Sequence, residues 1–374
     1  MNGKESRQAY GGESMERELL QVVRAFELPE GEIRIEPFGN GHINRTYAVS
    51  VEGEKHRYIL QLINHHVFQR PDQVQENILA VTSHLRKKIR EEGGDPERET
   101  MRVIPARDGK PWTRDGKGQW WRVFLFVEET ESRDLPDSPE VFSRCGRAFG
   151  RFQRRLEDFP AENLHETIPN FHNTPWRMEQ LEDAARRDPE GRLSEVREEL
   201  DFCLRRAEWA GKLTEGLKAG VLPLRVTHND TKLNNVLLDR KTGEALCVVD
   251  LDTVMPGLLA YDFGEAIRTG ASTAPEDEQN LSRIGLSLPM VRAYAGGFLA
   301  EAGAGMSPEE KKSLPWGARL MTLENGVRFL TDYLDGDHYF AVHRPRHNLE
   351  RARAQLTLLK RMEERWDEMQ AAVE

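Results

Sequence analysis

The period of the apolar residues changes near residue 128, and this change limits the possible folds more than any other feature of the chain. Before it, strand-like runs recur over residues 33–38, 43–51 and 57–63. Gly39-Asn40-Gly41 breaks the first pair and Glu52-Gly53-Glu54 the second. Pro71 opens a helical pattern to about residue 90, which a Gly-Gly-Asp-Pro cluster at 93–96 ends. Two further strands are expected over 101–104 and 120–127. After residue 128, helical spacing dominates: 139–156, 174–187, 194–218, 288–302, 307–333 and 348–369. Only short strands near 224–227 and 245–250 interrupt it. A helix is expected over 15–28, and the polar residues 1–14 read as a flexible tail. The pattern predicts an α+β protein. A small sheet-bearing N-terminal lobe with one helix spans 15–128, and a larger, mostly helical lobe spans 129–374.

Composition narrows the function. The chain has 374 residues and a formal net charge of -10. A broad nucleic-acid footprint needs a basic face, so that class is disfavoured. Nucleotide phosphates remain possible, because a few local donors and a metal ion suffice to hold them. Cys145, Cys203 and Cys247 are far apart and odd in number, which suggests buried reduced thiols rather than a disulfide framework. There is no run of 18 apolar residues to span a membrane and no signal-type N-terminus, so a cytoplasmic protein is expected.

The chemistry concentrates between the two short strands of the second lobe. His228-Asn229-Asp230-Thr231-Lys232-Leu233-Asn234-Asn235 is followed by a turn at Lys241-Thr242-Gly243 and an apolar run ending in Asp250-Leu251-Asp252. Phosphoryl transfer to a hydroxyl needs a carboxylate to orient the hydroxyl and accept its proton, and oxygens to hold Mg2+ against the phosphates. Asp230 can be that carboxylate. Asn235 offers Mg2+ a neutral oxygen and Asp250 a charged one. Asp252 is either a further metal-side carboxylate or a structural one.

This order resembles the catalytic loop and metal segment of protein kinases, and is closest to the aminoglycoside phosphotransferase and choline kinase superfamily. The resemblance implies a protein-kinase-like two-lobed fold that uses ATP and Mg2+. It also implies that Lys232 reaches the γ-phosphate and that His228 ties the loop to the metal segment. Gly39-Asn40-Gly41 lies where backbone N–H groups would cover the phosphates, although Gly-Asn-Gly is also an ordinary hairpin turn. One part departs from the protein-kinase pattern. The strand position that carries a phosphate-binding lysine there is Gln61 here, and Glu76 on the following helix has no obvious cation at that place.

Segments beyond the loop resemble N-acetylhexosamine 1-kinases. They include Gly41-His42-Ile43-Asn44, Ile168-Pro169-x-Phe171-His172-x-Thr174, Asp250-Leu251-Asp252-Thr253-Val254-Met255-Pro256-Gly257 and Arg328-Phe329-Leu330-Thr331-Asp332-Tyr333. That likeness implies phosphorylation of a sugar anomeric hydroxyl, with His42, Arg328 and Tyr339 lining the sugar pocket beside Asp230. From the residues alone, Arg328 could instead pair with Asp332 and Tyr339 could be a core aromatic. The alternatives are a kinase for an aminoglycoside, choline or homoserine, or an ATP-sensing module without turnover.

Overall fold

The computed structural model describes residues 5–39 and 43–374, with side chains from residue 15 onward. Asn40, Gly41 and His42, expected at the nucleotide and the sugar, lie outside the described residues. The chain forms two compact units. One comprises residues 1–131 with 238–254, the other 132–237 with 255–374.

In the first unit, α1 (Glu5–Arg24) precedes β1 (Ile33–Pro37), β2 (Arg45–Val51) and β3 (Tyr58–Ile63). Then follow α2 (Pro71–Glu91), β4 (Val103–Ile104), β5 (Thr113–Arg114), β6 (Trp120–Leu125) and β7 (Thr130–Glu131). The helix expected from residue 15 thus begins at Glu5, within the stretch read as a tail, where no apolar spacing marks it. The main sheet is antiparallel in the order β1-β2-β3-β6-β4, with β5 also on β6. β6 comes last of this sheet along the chain but lies inside it, and five of its six residues, Trp120 to Phe124, are buried. Val23, Phe26, Val49, Leu60 and Val123 fill the core on the α1 face. Burial of such side chains is worth about 1.5–3 kcal/mol each.

The second unit carries α3 (Pro139–Arg155), α4 (Thr174–Arg187), α5 (Arg197–Leu204), α6 (Ala207–Ala210), α7 (Lys212–Lys218) and β8 (Arg225–Thr227). The chain then returns to the first unit at Leu238, partway along β9 (Val236–Asp239), which forms a hairpin with β10 (Ala245–Val248) and also pairs with β7. Asp239 Oδ1 accepts from Lys241 N and Thr242 N at this turn, and Gly243 supplies a φ of 70°. The second unit resumes with β11 (Met255–Gly257), which pairs antiparallel with β8, and then α8 (Leu259–Gly270). α9 (Leu288–Ala302), α10 (Pro308–Asp335), α11 (His347–Glu364) and α12 (Trp366–Ala371) complete it.

Helix starts follow local chemistry. Ser138 caps α3, Asn173 caps α4, and Ser307 with Glu310 closes a reciprocal capping box on α10. All three cysteines are free and buried. Burial pushes the Cys203 thiol up to about 12, out of the reactive range. Among the described residues, no helix is long and apolar enough to cross a membrane.

Candidate active site

The second unit brings four of the expected residues together on one loop. β8 delivers the chain to His228, and α8 holds the loop from below through Asp262. The Asp262 carboxylate is fully buried and accepts from the backbone N–H of His228 (2.9 Å) and Asn229 (2.8 Å) and from Gln153 Nε2 (2.6 Å). Its carbonyl accepts from the Thr231 hydroxyl. Asn229 sits at φ 65°, and this left-handed residue turns the chain sharply enough to present Asp230. His228 is buried, packs edge-on against Phe149, and its Nδ1 accepts from the Asp230 N–H at 3.2 Å.

Asp230 is the carboxylate this loop presents. Its side chain is 30% exposed, and Lys232 Nζ lies 2.8 Å from one oxygen. Asn235 Nδ2 donates to the other at 3.0 Å and to the Asp230 carbonyl at 2.8 Å. Burial opposes ionisation here, but the Lys232 cation, the His228 ring and the Asn235 amide together hold the carboxyl below its ordinary range. Asp230 in turn raises the Lys232 ammonium above its ordinary range. Because both protons of the Asn235 amide point at Asp230, Oδ1 is left as the acceptor suited to a hard cation. A cavity of about 170 Å³ opens beside Lys232, and Arg268 on its wall is already held by Glu265, Glu276 and Gln355.

The first unit answers the question that Gln61 raises. Gln61 faces Arg122 across the β3–β6 ladder, and its Oε1 accepts from Arg122 Nε at 2.9 Å. Arg122 is 1% exposed and makes a two-pronged ion pair with Asp252, one prong at 2.9 Å. Asn44 Nδ2 donates to the same carboxylate at 2.7 Å, and Gln61 Nε2 donates to Thr46 Oγ1 at 3.0 Å. The cation absent from β3 is therefore present on the adjacent strand. Sequence reasoning missed Arg122, although an arginine inside the apolar run Trp-Trp-Arg-Val-Phe-Leu was a usable signal. Glu76 lies on the exposed face of α2. Gly39 has φ 73° and open space where a Cβ would stand. Asp250 is left-handed (φ 60°, ψ 60°) and starts the short 3-10 turn Leu251–Thr253 that carries Asp252.

Arg328 and Tyr339 meet in the second unit, with the guanidinium 3.4 Å from the hydroxyl. Arg328 does not pair with Asp332. That carboxylate is taken up by the backbone N–H groups of His338, Tyr339 and Phe340 and by Asn348. Tyr339 is 65% exposed and is not a core aromatic. The acidic stretch around Asp332 is spent internally, since Asp335 pairs with Arg187 and Asp337 with Arg192. Among the described residues, no group of three or more His, Cys, Asp or Glu gathers to hold a metal.

A small antiparallel sheet unit followed by a helical unit with an Asp–Lys–Asn loop is the protein-kinase-like fold. The chain belongs to the phosphotransferase enzyme family (APH), whose model matches residues 34–296. That span includes Gln61, Arg122, Asp230 and Asp252 but not Arg328 or Tyr339. Among solved structures it is similar to a microcompartment-associated aminopropanol kinase, at 16% identity over 93% of this chain and 97% of that one, with a TM-score of 0.57. It is also similar to an aminoglycoside phosphotransferase from Alicyclobacillus acidocaldarius, at 14% identity over 95% and 93% of the two chains (TM-score 0.54). A choline kinase from Cryptosporidium parvum matches at 12% identity over 91% and 92% (TM-score 0.54).

Proposed function

We propose that this protein is an ATP- and Mg2+-dependent kinase that phosphorylates the anomeric hydroxyl of an N-acetylhexosamine. One observation carries the reading: an ionised Asp230 carboxylate, partly open to solvent, is fixed between Lys232 and Asn235. A carboxylate so held can orient an attacking hydroxyl and take its proton as the new O–P bond forms. Lys232 can follow the charge that develops on the transferring phosphoryl group. Asn235, through Oδ1, and Asp250, by its place in the motif, are the proposed Mg2+ ligands. Two protein oxygens suit an ion that takes its remaining ligands from phosphate and water. Mg2+, when bound, neutralises phosphate charge. Gly39, Asn40, Gly41 and Gln61 are the proposed nucleotide contacts, and Arg122 supplies the buried cation that fixes Gln61. Glu76, on the exposed face of α2, is the remaining proposed residue on the nucleotide side.

The sugar assignment rests on the resemblance of the loop, the Phe171-His172 segment and the Arg328 helix to N-acetylhexosamine 1-kinases. His42, Arg328 and Tyr339 are the proposed sugar contacts. The solved structures of similar fold are named for amine-bearing acceptors such as aminopropanol and choline, so the acceptor must be tested directly. Purified protein with MgATP should release ADP with N-acetylglucosamine or N-acetylgalactosamine, and the phosphate should appear at the anomeric carbon by 31P NMR. A response confined to choline, aminopropanol or aminoglycosides rules out the sugar assignment. ATP binding without turnover of any acceptor supports a sensing module instead.

A further inference from the structure

A second polar cluster lies in the helical unit, built around one carboxylate. Glu324, at the middle of α10, is completely buried. One of its oxygens lies 2.8 Å from His172 Nδ1, and the other accepts from Thr174 Oγ1 at 2.9 Å. Burial disfavours its ionised form, but His172, Arg328 and Arg177 outweigh that and hold the carboxyl below its ordinary range. A carboxylate can only accept, so His172 Nδ1 carries the proton. In the tautomer protonated at Nδ1 alone, the ring offers a lone pair at Nε2. The His172 side chain is 6% exposed, and Nε2 has no hydrogen-bond partner among the described residues.

Arg177, one turn into α4, lies within electrostatic reach of the same carboxylate. Its Nη2 donates to the Phe171 carbonyl at 3.3 Å, but its buried Nε–H has no partner among the described residues. Burial, and then the like charge of Arg328, push this guanidinium below its ordinary range. Arg328 stands over the rings of Phe171 and Tyr339 at 5.5 and 5.7 Å. The cluster connects to the catalytic loop through α8. The His172 ring lies 5.0 Å from that of Tyr261, the residue before the loop anchor Asp262.

Two buried polar atoms without partners, the Arg177 Nε–H donor and a His172 Nε2 that accepts in the Nδ1–H tautomer, are costly unless a ligand or water completes them. Two guanidiniums around a single carboxylate also leave the cluster positive. We propose that Arg177 and His172, with Arg328, form a recognition site for an uncharged group carrying both a carbonyl oxygen and an N–H, namely the acetamido group of the acceptor. The carbonyl accepts from Arg177 Nε–H, and the amide N–H donates to His172 Nε2. An ammonium group supplies only donors and is repelled by both arginines. The site therefore discriminates against cationic acceptors, and Arg177 is a specificity residue. This inference rests on the kinase reading above but tests a different property.

The experiment compares N-acetylglucosamine with glucosamine as acceptors for wild type, Arg177→Met and Arg177→Lys. A site built to pair a polar group rejects an analogue lacking it by large factors, so wild type should prefer the acetamido sugar by about 100-fold or more in kcat/KM. Arg177→Met should raise KM for the acetamido sugar about tenfold, affect kcat less, and lower the preference about tenfold. Arg177→Lys restores charge without the Nε–H and should recover little of it. A purely structural role would weaken both acceptors alike and leave their ratio unmoved. ATP binding and the thermal midpoint show that each variant is folded. An unchanged ratio in a folded Arg177→Met, or a wild type that prefers the free amine, overturns the inference. If wild type phosphorylates no sugar, the function falls, and ligand-observed NMR without ATP then decides the site. Binding of the acetamido sugar but not the amine, lost in Arg177→Met, upholds the site. Equal binding of both sugars, or of neither, overturns it.

Discussion

Arg122 and Asp252 form a two-pronged ion pair inside the sheet unit, with side chains only 2% and 5% exposed. The pair does more than neutralise charge. Arg122 also fixes Gln61, and Asp252 also accepts from Asn44, so β2, β3, β6 and the turn after Asp250 converge on it. Removing one partner would leave the other charged and buried, which costs about 3–5 kcal/mol. Arg122→Met is expected to lose about that much stability in urea unfolding. Replacing both residues, Arg122→Met with Asp252→Leu, should recover a large part. A single variant that loses less than about 1 kcal/mol would mean that water reaches the pair.

Asp262 is the second control point, because it terminates two consecutive backbone N–H groups of the loop that carries Asp230. In Asp262→Asn an amide NH2 replaces one accepting oxygen, and one buried N–H loses its partner. That deficit is worth about 1–3 kcal/mol. The expected result is a fall in kcat of at least about tenfold, since Asp230 is no longer held in place, with KM for ATP changed much less. Steady-state kinetics at saturating acceptor measure this. Equal losses in nucleotide affinity and turnover would contradict the anchoring role.

Much of this arrangement was legible in the sequence. Helices α4 and α9 begin and end where their periodicity places them, because each packs one apolar face. Helix α8 was not anticipated: from Leu259 to Arg268 it is buried on every side and shows no polar face to mark a period. The single helix expected over 194–218 is three pieces. Breaks fall at Arg205–Arg206, where the Arg206 guanidinium reaches Glu363 and the Phe202 carbonyl, and at Gly211. The Asp230–Lys232–Asn235 loop was readable because its chemistry lies within a few residues. Arg122 with Asp252, and His172 with Glu324, are separated by 130 and 152 positions, and only the folded chain pairs them.

The proposed role of Asp230 as the base implies a pH dependence of turnover. Its carboxyl is held below the ordinary range chiefly against the penalty of burial, with Lys232 the leading favourable influence. An acid with a lowered value stays ionised until the pH falls through that value. The base form should therefore be complete at and above about pH 5, given an ordinary aspartate near 3.9. Lys232→Met removes the cation and should move the acidic limb of kcat/KM to higher pH as well as lowering the plateau. Initial rates from pH 4.5 to 8 give both quantities. A plateau that falls while the acidic limb stays fixed would show that Lys232 acts on the phosphoryl group alone.

Helix α8 can hold Asp262 in place only if it lies close against α10, and two glycines make that approach possible. A Cβ on Gly317 would stand 1.8 Å from the Ala260 carbonyl oxygen, and one on Gly264 would stand 2.3 Å from the Gly317 carbonyl carbon. Both obstacles are backbone, so neither can rotate away. Gly317→Ala must therefore separate the helices, at a cost at or above the roughly 1–3 kcal/mol typical of overpacking. Because α8 carries the loop anchor, activity should fall with stability. Gly296 is the matched control: it lies within α9 with nothing within 4 Å of its Cβ position. Gly296→Ala should be neutral, or stabilising by up to about 1 kcal/mol, through helix propensity alone. Thermal or urea unfolding of the two variants separates close packing from propensity, and equal effects would contradict the tight crossing of α8 and α10.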